Sequence, residues 1–147
     1  MNEVYDFFIA GRTRNRENIL KICNIFDSLN ISYYCFLKNE QSHIEAGLDI
    51  SDHPEELMKK FENMELNSEA VKTIFKYDIE AEQKSKNLLL VLPAGKSGHI
   101  EAGIAYGLGK KCYAIGEYEV TDSLYLIFDK IFADEKELLE FLNKYKT

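Results

Sequence analysis

Strand-like and helical patterns of apolar residues alternate along this chain. The run from Val4 to Ala10 (VYDFFIA) predicts a strand that ends at Gly11. Apolar positions from Ile19 to Phe26 follow at helical spacing, so the two segments together predict a β-α unit. The run from Ile31 to Leu37 (ISYYCFL) then predicts a second strand.

The middle of the chain contains both its least regular and its most apolar segment. Residues from Lys38 to Pro54 are polar and lack sustained periodicity, as is typical of a loop over a site. A short helix is predicted from Glu55 to Met64, and a longer one from Ser68 to about Ser85. The run from Leu88 to Leu92 (LLLVL) is apolar throughout, which predicts a central strand covered by helices on both faces.

A further helix is predicted directly after this central strand. It begins at Ser97 or Gly98 and stops at Gly109, because glycine favours the end of a helix. Its apolar positions form one stripe: Ile100, Ile104, Gly107 and Leu108.

Two more strands and a helix complete the pattern. Strands are predicted from Cys112 to Ile115 and from Leu124 to Phe128, and a terminal helix from about Asp134 to Tyr145. Parallel neighbours need crossover connections, which helices provide. We therefore expect residues 1–147 to form one α/β domain with a doubly wound, five-stranded parallel sheet, helices on both faces and the common strand order 2-1-3-4-5.

This topology selects two loops as the candidate binding site. In sheets with this strand order, ligands bind at the carboxyl ends of strands 1 and 3, which here are followed by Gly11–Asn15 (GRTRN) and Pro93–Gly98 (PAGKSG). The second loop leads into a helix N-terminus, whose free N–H groups and dipole favour a phosphate or carboxylate. The side chains that can reinforce this preference are Arg12, Arg14, Lys96 and Ser97. In the alternative interpretation they are ordinary capping residues and solvated charges.

Composition and charge narrow the possible partners. The 147 residues include 46% hydrophobic residues, enough for the core of one domain. Lysine and arginine total 18 against 25 acidic residues, and this net charge of -7 argues against binding of nucleic acid polymers or anionic membranes. The three cysteines indicate neither a disulfide framework nor a metal site, and no apolar stretch has the length of a membrane span. We expect a cytoplasmic protein.

Glu101 is the clearest candidate for a catalytic residue. It lies in the first turn of the helix beside the predicted crevice, where the helix dipole stabilises a carboxylate. A carboxylate held against a sugar can attack its anomeric carbon. Glutamate is also simply a good helix residue at this position. By pattern alone, Asp78 is a surface charge on the polar side of its helix, and His99 has a polar or capping role.

The segment from Leu88 to Lys110 (LLLVLPAGKSGHIEAGIAYGLGK) resembles the signature region of the nucleoside 2-deoxyribosyltransferase family. In that family a strand, a small-residue loop and a helix carrying E-x-G-x-A bring a nucleophilic glutamate to the sugar. The resemblance implies that Glu101 is this nucleophile and that Asp78 belongs to the base or sugar pocket. It also implies that Gly95, Ser97 and Gly98 surround the sugar or a phosphate, and Lys96 in the same loop is a candidate to bind the phosphate.

The first β-α turn resembles the same family. Gly11 and Arg12 match the turn in which its monophosphate-cleaving N-glycosidase branch binds the nucleotide phosphate. The resemblance implies cleavage of an N-glycosidic bond through a glycosyl-enzyme ester, with the sugar passed to a second base or to water. It further implies a small-molecule nucleoside or nucleotide substrate, no metal or organic cofactor, and a homo-oligomer.

One position departs from the family pattern. Classical transferases carry an acidic residue six positions before the nucleophile, and Gly95 stands there in this chain. The departure favours a phosphorylated substrate and water as acceptor, and the group that protonates the leaving base is not identified. It also motivates an alternative function, a non-catalytic module that binds or sequesters a nucleotide. An NAD-cleaving enzyme of the fold-related TIR type is a further alternative. Three aromatic residues are candidates for pocket walls or for the core: Tyr5, Phe8 and Tyr106.

Overall fold

The computed structural model describes residues 2–147 as a five-stranded sheet flanked by helices. The strands are β1 (Tyr5–Ala10), β2 (Tyr33–Cys35), β3 (Ser85–Val91), β4 (Lys111–Ile115) and β5 (Phe128–Phe132). The helices are α1 (Arg16–Ser28), α2 (Glu40–Glu45), α3 (Pro54–Glu62), α4 (Glu69–Gln83), α5 (Lys96–Gly107) and α6 (Glu135–Lys146). All strand pairs are parallel and the order is β2-β1-β3-β4-β5, which confirms the predicted 2-1-3-4-5 topology.

Helices cover both faces of the sheet, and each face has its own apolar core. On one face Phe7, Ile9 and Leu89 pack with residues of α1 and α6. On the other face Phe8 and Leu88 pack with residues of α4 and α5. Successive strand residues point to opposite faces, so a strand that is buried on both sides is apolar at every position. The LLLVL run therefore lies in a central strand, as predicted.

Side-chain caps and one glycine fix several helix ends where the sequence predicts them. Ser68 accepts a hydrogen bond from the Val71 N–H at the start of α4, and Asp134 accepts one from Glu137 at the start of α6. Gly109 follows α5 with a φ of +78°, a conformation that glycine adopts without a steric penalty. These local signals explain why most helix boundaries are predictable.

The predicted fifth strand, Leu124–Phe128, is wrong. Residues Ser123–Ile127 form a 3-10 helix that Asp122 caps, and β5 begins only at Phe128. Leu124 and Leu126 are exposed, so these apolar side chains are not buried against the sheet as strand residues would be. Residues Phe128–Phe132 form the strand instead, with its two ends buried and its middle exposed or half-buried.

The segment predicted as a loop over a site also contains regular structure. Helix α2 lies within it, and its N-terminus is capped by the Asn39 side chain, which accepts from the Ser42 N–H. The second strand is shorter than predicted, because a 3-10 helix at Phe36–Lys38 replaces its last part. This segment thus leaves the sheet early and is free to cover the carboxyl end of β1.

Helix α5 packs on the sheet with its small residues and not with its apolar stripe. Gly98, Ala102 and Ala105 are buried, whereas Ile100 is 59% exposed. Small side chains bring a helix close to its neighbours, so α5 lies close to β3 and to α4. Two large residues of the predicted stripe, Ile100 and Leu108, are consequently exposed, and Ile104 is half-buried.

The chain has no element of membrane-spanning character in the part that the structure describes. Among residues 2–147, none of the helices has both the length and the apolar content needed to cross a bilayer.

Candidate functional site

A cavity of about 330 Å³ lies at the carboxyl ends of β1 and β3. Its volume falls in the lower range of small-molecule sites. The β1–α1 turn, the β3–α5 loop and helices α2 to α5 all contribute to its wall. The lining residues are Gly11, Arg12, Thr13, Arg14, Phe36, Ser42, His43, Leu57, Met58, Phe61, Glu62, Ile74, Asp78, Gly95, Lys96, Ser97, Gly98 and Glu101.

The structure brings all of the sequence-predicted site residues into this one cavity. They come from three separate segments of the chain: Gly11, Arg12, Asp78, Gly95, Lys96, Ser97, Gly98 and Glu101. The three aromatic candidates lie elsewhere. Phe8 is in the core, Tyr106 is 57% exposed, and Tyr5 lines a wider and more open groove beside β2. That groove contains none of the predicted site residues among its lining residues.

Two glycines allow the two loops to approach each other. A Cβ atom at Gly98 would lie 2.7 Å from Leu90 Cδ1 and 3.6 Å from the backbone nitrogen of Gly11. A Cβ atom at Gly11 would lie 2.7 Å from Ile19 Cδ1. Both contacts with side-chain carbons are shorter than real Cβ contacts, so a larger residue at either position would force the ends of the Leu90 or Ile19 side chains to move. Gly11 and Gly98 therefore let the two loops pack closely over the core without displacing these side chains.

The start of α5 lines one corner of the cavity and has no side-chain cap in the described part of the chain. Gly95 is the N-cap residue, and no side chain within residues 2–147 caps the first turn of this helix. Its first N–H groups are consequently available to a ligand, with the positive end of the helix dipole behind them. Arg12 lies in the same wall and forms no salt bridge within the described residues. A phosphate or carboxylate group fits this corner.

Arg14, the second arginine of the β1–α1 turn, has a different role. Its guanidinium group forms salt bridges with Glu55 at 2.7 Å and with Glu62 at 3.2 Å. Both partners belong to α3, which covers one side of the cavity. Arg14 therefore holds α3 in place and is already neutralised by two carboxylates.

Two carboxyl groups, those of Glu101 and Asp78, lie in the cavity wall. Burial raises the pKa of Asp78 to about 6, while a hydrogen bond from Tyr34 acts in the opposite direction. Burial, together with the charges of Asp78 and Glu82, raises the pKa of Glu101 well above its ordinary value. The cavity is thus a poorly solvated space that disfavours the charged form of both carboxyl groups.

A short chain of hydrogen bonds orients the Asp78 carboxyl group. The Tyr34 hydroxyl donates to Asp78 Oδ1 at 3.1 Å, and the Asn39 amide donates to the Tyr34 hydroxyl at 2.9 Å. Asn39 also caps α2. This network joins Asp78 on α4 to the segment that follows β2, so Asp78 is a half-buried residue of the cavity wall and not the surface charge that pattern alone indicates.

Sequence reasoning did not identify the residues that form the roof of the cavity. The apolar residues of this roof are Phe36, from the 3-10 helix after β2, and Leu57, Met58 and Phe61, from α3. His43 on α2 is buried, and its Nδ1 lies 3.0 Å from the Asn39 carbonyl oxygen. The only signal for this roof was the polar, aperiodic segment after β2, which indicates a covering loop but not its contacts.

His99 connects the N-terminal end of α5 to the 3-10 helix before β5. Its Nδ1 lies 2.7 Å from the Gly95 carbonyl oxygen, and its Nε2 lies 2.8 Å from the Tyr125 hydroxyl. Because a carbonyl can only accept, Nδ1 carries the proton and Nε2 accepts from Tyr125. His99 therefore has the polar, structural role expected, and it steadies the Gly95 end of the site.

The described residues contain no metal-binding cluster. Within residues 2–147, no group of three or more His, Cys, Asp or Glu side chains has an arrangement that could hold a metal ion.

Comparison with known proteins identifies a shared fold. No protein-family model matches this sequence, and no curated protein matches it. Among solved structures, the chain is similar to a 2-deoxyribosyltransferase from the psychrotolerant bacterium Bacillus psychrosaccharolyticus. The similarity has a TM-score of 0.65 at 14% sequence identity and covers 90% of this chain and 89% of that one. The two proteins therefore have the same fold over nearly their whole lengths.

Proposed function

We propose that this protein is an enzyme that cleaves or transfers at the N-glycosidic bond of a nucleoside or nucleotide, with Glu101 as the nucleophile. The observation that carries the proposal is the position of the Glu101 carboxyl group. It lies in a cavity of about 330 Å³, at the carboxyl ends of β1 and β3, together with a second carboxyl group and an anion-binding helix end. The fold shared with a 2-deoxyribosyltransferase supports the same reaction class.

The proposed reaction has two steps, formation and breakdown of a glycosyl ester of Glu101. The Glu101 carboxylate attacks the anomeric carbon, and the bond from that carbon to the base nitrogen breaks with its electron pair on the base. The leaving base takes up a proton from solvent, and the sugar is held as an ester of Glu101. Water, or an N–H nitrogen of a second base, then attacks the anomeric carbon, loses a proton to solvent and displaces the Glu101 carboxylate. The transition states carry positive charge on the sugar, which a nearby carboxylate stabilises.

Asp78 is proposed to contact the base or the sugar. Its pKa of about 6 means that its protonated and ionised forms are both accessible near neutral pH. A group of this kind can donate a hydrogen bond to one atom of the ligand and accept from another. The Tyr34 and Asn39 hydrogen bonds fix its orientation before the ligand binds.

A 5'-phosphate on the substrate is favoured by the corner at the start of α5. The uncapped N–H groups of the first turn, the Arg12 guanidinium and the Lys96 and Ser97 side chains border the same part of the cavity. Gly95 contributes no carboxylate that would repel a phosphate. We therefore propose a nucleoside monophosphate as the preferred substrate class and water as the acceptor.

A second candidate function is binding without chemistry. The specific observation in its favour is the raised pKa of Glu101, since an uncharged carboxyl group donates a hydrogen bond to a ribose hydroxyl and does not attack carbon. Gly95 also lacks the acidic side chain that the classical transferases carry. In this case the cavity would retain an intact nucleotide.

The test is release of free base from a panel of substrates. Pure protein is incubated with nucleosides, deoxynucleosides, their 5'-monophosphates and NAD, with and without an acceptor base, and free base is measured by chromatography. We expect release that falls by at least about a hundredfold in Glu101→Gln, because the amide cannot form the ester. The matched control is Glu117→Gln, an exposed residue, which should keep the wild-type rate.

The two candidate functions give opposite results in this experiment. Base release at the wild-type rate in Glu101→Gln would contradict the assignment of the nucleophile. Tight binding of a ligand that stays intact after long incubation would favour the binding module.

A further inference from the structure

Glu82 is a buried acid that the proposed reaction does not use. Its relative exposure is 1%, and neither carboxyl oxygen has a hydrogen-bond partner within residues 2–147. A buried carboxyl group without a partner is costly, and it costs far more when it is charged. Such a group is rare in folded proteins and calls for a physical explanation.

Glu82 lies near the contact between α4 and α5. It lies on α4, four residues after Asp78 and therefore on the same side of that helix. The buried side chains of Ala81, Ala102 and Ala105 lie in one core cluster, so α4 and α5 pack closely at this level. Glu82 is buried next to this contact, close enough for its charge to act on Glu101 of α5.

Four titratable groups surround Glu82 from the elements packed around it. They are Asp78 on α4, Glu101 on α5, Lys110 just after α5, and the Cys112 thiol on β4. The Lys110 ammonium donates to the carbonyl oxygens of Gln83 and Ser85, and it lies 3.5 Å from the Glu3 carboxylate. Lys110 is therefore engaged elsewhere and lowers the pKa of Glu82 only through space.

The space between α4 and α5 cannot hold three charged carboxylates. Burial and the Asp78 charge raise the pKa of Glu82 to about 8, and the Glu82 charge in turn contributes to the raised pKa of Glu101. When titratable groups are coupled in this way, the apparent pKa of each step of proton loss is a property of the whole cluster and not of one residue. The protonation state of Glu82 is therefore linked to that of Glu101.

We propose that Glu82 is a positioning residue for Glu101: it competes with Glu101 for the negative charge that the buried space can hold, and so sets the pH range in which Glu101 acts as a nucleophile. This inference rests on the proposed function of Glu101. Glu82 does not touch the substrate and acts only through the charge it adds or withholds.

The sign of the effect follows from the requirement for an ionised nucleophile. Activity should rise with pH as Glu101 loses its proton. A negative charge on Glu82 opposes that loss and moves the rise to higher pH. Removing the ability of residue 82 to become charged should therefore move the rise to lower pH.

The experiment measures kcat/KM for base release as a function of pH in Glu82→Gln and Glu82→Met. Both side chains have nearly the size of glutamate and neither can ionise. We expect the ascending limb in both variants to shift to lower pH by about one unit, with a plateau within a few-fold of the wild type. The matched control is Glu80→Gln, two positions away and exposed on the same helix, which should leave the profile unmoved.

A direct titration keeps the inference testable whatever the activity assay gives. Glutamate δ-carboxyl carbons labelled with ¹³C are followed by NMR against pH in the wild type, Glu82→Gln and Glu101→Gln. We expect the titration midpoint of Glu101 to fall in Glu82→Gln, because a negative charge at residue 82 no longer opposes the ionisation of Glu101. The Glu101→Gln spectrum serves to assign the Glu101 signal.

The outcomes separate this inference from the proposed function. Absence of base release from every substrate, with the fall of the Glu101 midpoint in Glu82→Gln present, would remove the proposed function and leave the coupling intact. A pH profile and a Glu101 midpoint unchanged by both Glu82 variants would overturn the inference. A Glu82 midpoint near the ordinary value for glutamate would overturn it as well.

Discussion

Gly95 occupies the position where a single side chain would change the ligand most. It is the N-cap residue of α5 and lines the cavity, and a Cβ atom there would meet no other atom within 4 Å. Its φ of -90° and ψ of -162° are accessible to any residue. An aspartate at this position would thus fit, cap the free N–H groups of α5 and add a negative charge to the proposed phosphate corner.

Gly95→Asp should therefore reverse the substrate preference. We expect its kcat/KM for a nucleoside 5'-monophosphate to fall about tenfold or more relative to that for the nucleoside, because the carboxylate repels the phosphate and occupies its N–H donors. Gly95→Asn is the matched control, since asparagine caps a helix equally well without charge. An unchanged preference in Gly95→Asp would show that no phosphate binds at this corner.

At the scale of elements, the parts of the fold that follow local rules were predictable. The apolar run of β3, the caps of α4 and α6 and the glycine after α5 each have a signal within a few residues. The strand order then placed the β1–α1 turn and the β3–α5 loop side by side. Glu101 and the glycines of the site follow from these two loops.

Other elements depend on contacts that sequence patterns do not record. Leu124 and Leu126 look like strand residues but are exposed on a 3-10 helix, so burial and not pattern decides where β5 begins. Asp78 lies on the polar side of α4, and its burial results from Tyr34 and the segment after β2 packing against it. The roof formed by α2 and α3 arises in the same way, from long-range packing.

At the scale of the whole molecule, the outer face of α5 is an apolar surface open to a partner. Ile100 and Tyr106 are exposed on α5, and Phe75 is exposed on neighbouring α4. The inner face of α5 uses only small residues, so the sheet does not bury these larger side chains. Large exposed apolar patches mark association surfaces. This face of α5 is therefore a candidate interface for the homo-oligomer that the family resemblance implies.

We predict that the protein self-associates through this face. Analytical ultracentrifugation should detect a dimer or larger species for the wild type and a shift towards monomer for Ile100→Lys, because a buried charge opposes association. Val4→Lys is the control, since Val4 is equally exposed but lies before β1, away from α5. A monomeric wild type at high concentration would contradict the prediction.

The most direct test of Glu101 as the nucleophile is detection of the covalent intermediate. The protein is mixed with a substrate that releases base in the panel, quenched in acid, and analysed by intact-mass and peptide mass spectrometry. We predict that the sugar moiety adds to the peptide that contains Glu101 in the wild type and not in Glu101→Gln. Base release together with a sugar adduct on another residue, or with full turnover in Glu101→Gln, would contradict the proposed mechanism.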